Sequence, residues 1–199
     1  MKSQSLAFQK DAARIAELAG YFLILDPEHS GGLSDIKDLI RELRTFLVRW
    51  DGELAHFSDQ TTLKAFRKQL HGMERHVECL YLASLRELVE ARREWKLAET
   101  FLEAAVALNE LIKITPGHLI PELQAALRGN EREDYDATRS FRGAMAEADE
   151  YEATYRRLRR EFETDWSERL NDPLFRSIDA ADIATADPLI EAAAERIAA

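Results

Sequence analysis

Residues 58–114 read SDQTTLKAFRKQLHGMERHVECLYLASLRELVEARREWKLAETFLEAAVALNELIKI, with no proline and one glycine, Gly72. Apolar residues keep helical spacing along the whole stretch, which predicts a single helix from Ser58 to Ile114, roughly 80 Å long at 1.5 Å per residue. Helices of globular domains usually run three or four turns. A helix of this length is retained where something is spanned, scaffolded or gripped along it. Its first half carries Leu63, Phe66, Leu70, Met73, Val77 and Leu80 at alternating intervals of three and four, the spacing of a heptad seam. Near Ser84 the seam shifts and resumes as Leu85, Leu88, Trp95, Leu102 and Ile112, a place where a partner helix must follow or change. Gly72 is expected to be tolerated inside the helix at a cost of about 1 kcal/mol relative to Ala.

Working outward, residues from about Ser5 to Leu25 read as a first helix, closed by Asp26-Pro27 because proline disfavours a helical residue before it. Ser34 is placed to cap a second helix, with Asp35 complementing the dipole and Ile36, Leu39, Leu43, Phe46 and Trp50 forming its stripe. Gly52 and Ser58 bracket its end. Thr115-Pro116-Gly117 is the firmest boundary in the chain. A short helix follows, with Pro121 in its first turn and Gly129 at its C-terminal cap. Asn130 and Glu133 then have capping-box spacing for a second long helix from about Glu131 to Leu170. Tyr135, Phe141, Met145, Tyr155, Phe162, Trp166 and Leu170 lie on one broad face of it, and Asp172-Pro173 is read as its end. An alanine-rich helix begins near Asp187-Pro188, either docked or mobile.

No period-two alternation or hairpin turn signal interrupts these helices. The expected fold is all-α: an elongated helical bundle dominated by a long antiparallel, coiled-coil-like hairpin. Three segments are expected, an N-terminal helical pair over 1–57, the hairpin with a short helix at its tip over 58–171, and a helical tail over 172–199.

The 199 residues carry a formal charge of −10, with 46% apolar and 32% charged residues, enough for one sizeable core or two small ones. Overall acidity argues against broad nucleic-acid binding. Residues 36–76 are the exception, with eight basic against six acidic groups. Within them Lys64, Arg67, Lys68, His71 and Arg75 recur at intervals of three and four and form a basic stripe. It reads either as a solvated face or as a contact for an acidic partner or a nucleic-acid backbone. A second basic cluster, Arg156, Arg157, Arg159 and Arg160, is expected to be self-neutralised through pairs such as Glu152 with Arg156 and Arg157 with Glu161. No apolar run suits a signal peptide or a membrane span, and the single cysteine excludes an internal disulfide, so a cytoplasmic protein without membrane association is expected.

Catalytic signals are sparse. Glu53-Leu-Ala-His56 has the Glu-x-x-His spacing of carboxylate-bridged metal bundles, but there is no second copy. Cys79 has His76 three residues before it, yet its apolar neighbours favour a buried structural thiol over a nucleophile. Gly-rich phosphate loops are absent. Glu87-x-x-Glu90 and Glu131-x-x-Asp134 look like the paired acidic helices of all-α nucleotide pyrophosphohydrolases, which hold magnesium. In that family the two pairs lie on adjacent short helices, whereas here a proline break and a short helix intervene. The run Trp95 to Leu102, with Leu127-Arg-Gly-Asn130 and Tyr135, resembles the helical stalk inserted in some superfamily 1 helicases. All motor motifs are missing, so the resemblance implies a docking arm and no helicase activity.

The expectation from sequence is therefore a non-enzymatic helical adaptor or scaffold subunit without a cofactor. Its partner would be another protein or a second copy, engaged through an exposed seam and the basic stripe. The alternatives are a nucleic-acid-binding accessory subunit using that stripe and a metal-dependent nucleotide hydrolase.

Overall fold

The computed structural model describes residues 2–24, 33–57, 60–128, 137–179 and 183–199. They form seven α-helices: α1 (Lys2–Ile24), α2 (Leu33–Phe57), α3 (Gln60–Ile114), α4 (Ile120–Arg128), α5 (Ala137–Asp165), α6 (Pro173–Asp179) and α7 (Ala186–Ala198). Short 3-10 turns occupy Gly117–Leu119, Ser167–Arg169 and Ile183–Thr185. No strand occurs among the described residues, as the sequence predicts.

The long helix is continuous over 55 residues and passes through Gly72 without interruption. A Cβ added at Gly72 would meet nothing within 4 Å, so no close packing requires a glycine there. The helix ends where expected. Thr115 N–H and hydroxyl both donate to the Leu111 carbonyl, at 3.0 and 2.7 Å. Pro116 then has no N–H to continue the ladder, and its carbonyl accepts from Leu119 N–H at 2.8 Å to start the 3-10 turn.

Residues group into two compact units, 1–82 with 193–199, and 83–192. On α3 the division falls between Leu82 and Ala83, beside Ser84, where the apolar repeat shifts.

In the first unit, Leu63, Leu70 and Val77 of α3 are buried at seven-residue intervals with Leu18 of α1 and Leu39 and Trp50 of α2. These three seam positions are core, whereas Phe66 and Met73 are half-buried and Leu80 is 38% exposed. Phe8 of α1 packs on Phe46 and edge-on to Trp50, with ring centroids 5.4 and 5.2 Å apart. Asp11 ties α1 to α2: its carboxylate accepts from Trp50 Nε1 at 2.9 Å and from Arg49 Nη1 at 3.0 Å. Trp50 is buried, so removing its acceptor leaves an indole N–H unsatisfied. Asp11→Ala is expected to cost about 1–3 kcal/mol in urea unfolding. Asp11→Asn, which keeps an oxygen acceptor but loses the ion pair with exposed Arg49, should cost less than half of that.

The second unit is built around Leu85, Leu88, Val89, Ala91 and Ala98 of α3, which are buried with Tyr155 and Phe162 of α5 and the following Trp166. Trp95 stacks on Tyr155 with centroids 5.4 Å apart, and Arg92 Nη1 donates to the Tyr155 hydroxyl at 3.3 Å. The stack lies nineteen residues before the end of α3 and eighteen after the start of α5.

Two boundaries differ from the sequence reading, and the tail takes one of its two readings. The helix expected over 131–170 ends at Asp165, because Trp166 leaves helical geometry at φ −125° and ψ 35°. The turn carries its indole into the core, at 1% exposure. Asp172-Pro173 starts a helix and does not close one: Leu174 N–H donates to Asp172 Oδ1 at 2.9 Å, an N-cap with proline at the first helical position. The tail is docked. Phe175 stacks on Phe162 at 4.9 Å, Ile178, Ala186 and Ile190 are buried, and Asp187 pairs with Arg93. The capping box at Asn130 and Glu133 and the turn at Asp26-Pro27 lie outside the described residues.

Candidate functional site

The basic stripe forms one face of α3 in the first unit. Lys64, Arg67, Lys68 and His71 are exposed and Arg75 is half-buried. Arg67 pairs with Asp51 of α2, and His71 Nδ1 lies 3.7 Å from Glu74, which also pairs with Arg44 Nε at 3.2 Å. Acidic neighbours thus offset part of the stripe, and Lys64, Lys68 and Arg75 are its cations with no ion pair among the described residues. Beside it, Ile36, Leu39, Gln69, Gly72, Met73 and His76 line an open, largely apolar groove of about 640 Å³ between α2 and α3. The absent side chain at Gly72 widens it.

The second basic cluster is self-neutralised as expected. Arg156 pairs with Glu152 at 2.5 Å, Arg157 with Glu161 at 2.9 Å and Arg159 with Glu163 at 2.9 Å, each one helical turn apart. Arg160 Nε donates to the Arg156 carbonyl at 3.3 Å.

Cys79 contradicts the sequence expectation: the thiol is exposed. The reason is helical phase, since Val77, Tyr81 and Leu82 face the core and position 79 falls outside their arc. Glu87 and Glu90 are exposed on α3, while the second acidic pair, Glu131 and Asp134, lies outside the described residues, as does the His56 side chain. Among the described residues no group of three or more His, Cys, Asp or Glu is arranged to hold a metal ion. No described helix is long and apolar enough to cross a membrane.

The broad face of α5 is mostly covered. Tyr155, Phe162 and Trp166 are buried, Phe141 and Leu170 half-buried, and Met145 exposed; Tyr135 lies outside the described residues. Uncovered apolar residues on α3 in the second unit include one stripe, with Val106 and Ile114, 42% and 76% exposed, lying off it. Leu97 and Phe101 are each 58% exposed and Leu111 is 39% exposed. Ala104 and Ala107 between them are exposed, and Leu108 is half-buried. Leu97, Phe101, Ala104, Leu108 and Leu111 recur at intervals of four, three, four and three, the seam spacing of a helix that meets another helix. The inward side of the same segment is a different set, with Ala98 buried and Trp95, Leu102, Ala105 and Ile112 half-buried.

Sequence reading followed the inward set and missed the outer one. A second heptad repeat offset from the first was the available signal. The outer stripe runs over about 21 Å of helix. Off the stripe, Lys96 pairs with Glu99 at 2.5 Å and lies over the Trp95 ring, and Lys113 pairs with Glu110 at 2.6 Å.

Comparison of the chain with protein-family models, with curated proteins and with solved structures finds no match in any of the three.

Proposed function

We propose that this protein is a non-enzymatic helical adaptor or scaffold subunit of a cytoplasmic assembly, and that it makes its protein contact through the outer stripe of α3. The observation that carries this reading is the exposure of Leu97, Phe101 and Leu111 at heptad spacing on a helix segment where Ala98 is buried and Trp95, Leu102 and Ala105 are half-buried. An amphipathic helix laid along such a stripe would bury it in the knobs-into-holes manner. The nucleic-acid reading has less support. With Arg67 and His71 beside acidic groups and Arg75 half-buried, the stripe offers little of the accumulated positive field that phosphate contacts need.

A photoreactive phenylalanine analogue placed at position 101 tests this reading in the native host. The expected result is a discrete protein adduct from position 101 that is absent when the analogue is placed at exposed position 147 of α5, and lost when Leu97→Glu accompanies it. Identical adduct patterns from both positions, or none, would remove the basis for the proposal.

A further inference from the structure

We draw no further inference here: the strongest candidate, the open apolar groove between α2 and α3 lined by Ile36, Leu39, Gln69, Gly72, Met73 and His76, carries none, because charges of both signs stand a helical turn from its lining, Lys68 before Gly72 and Asp35 before Leu39, and nothing in the structure shows what covers it.

Discussion

Trp166→Ala is expected to destabilise the chain by about 3–5 kcal/mol, the range for deleting a fully buried large aromatic side chain. Trp166 does two things at once. Its N–H closes the last turn of α5 on the Phe162 carbonyl at 2.8 Å, and its carbonyl accepts from Arg169 N–H at 2.8 Å to begin the next turn. Both are backbone roles that alanine keeps. The indole itself, 1% exposed, fills the place where α5 stops, and without it nothing favours the extended φ of −125° over another helical residue. Two readouts check this: the urea midpoint, which should fall sharply, and the helical circular dichroism, which should not fall in proportion if α5 lengthens toward Leu170. A loss below about 1 kcal/mol would mean that Trp166 is not a core residue.

The second large effect comes as a pair. Leu85→Ala should cost about 2–5 kcal/mol, since Leu85 has no exposed surface and its removal leaves a cavity in the second unit. Leu97→Ala, one face over on the same helix, should change stability by less than about 0.5 kcal/mol. It removes a side chain that is 58% exposed and introduces the best helix former. Chemical denaturation of the purified chain compares the two directly. Similar costs for both would show that Leu97 is packed, and the outer stripe would lose its claim to be free surface.

The contrast between Leu85 and Leu97 also explains what could be read from the sequence. The all-α class, the extent of α3 and its end at Thr115-Pro116 follow from backbone chemistry, because proline lacks a donor and a run without helix breakers has no reason to stop. Orientation is harder. From Trp95 onward α3 is apolar on two sides, and periodicity alone cannot tell which side meets α5 and which is left outside. The same ambiguity misplaced Cys79, whose apolar neighbours in sequence lie on another arc of the helix. Asp172-Pro173 shows a different limit: a pair that reads as a helix stop is also a good N-cap and first turn, and here it only starts α6. The basic stripe was visible as a spacing, but its pairing with Asp51 and Glu74 required the fold.

The placement of the three tryptophans gives each compact unit its own optical reporter. Trp50 lies in the first unit with its N–H on Asp11, and Trp95 and Trp166 lie in the second. A chain in which Trp95 and Trp166 are phenylalanine emits from the first unit alone, and one in which Trp50 is phenylalanine emits from the second. Comparing the two unfolding curves asks whether a single uninterrupted helix makes two cores melt as one or lets them melt in turn.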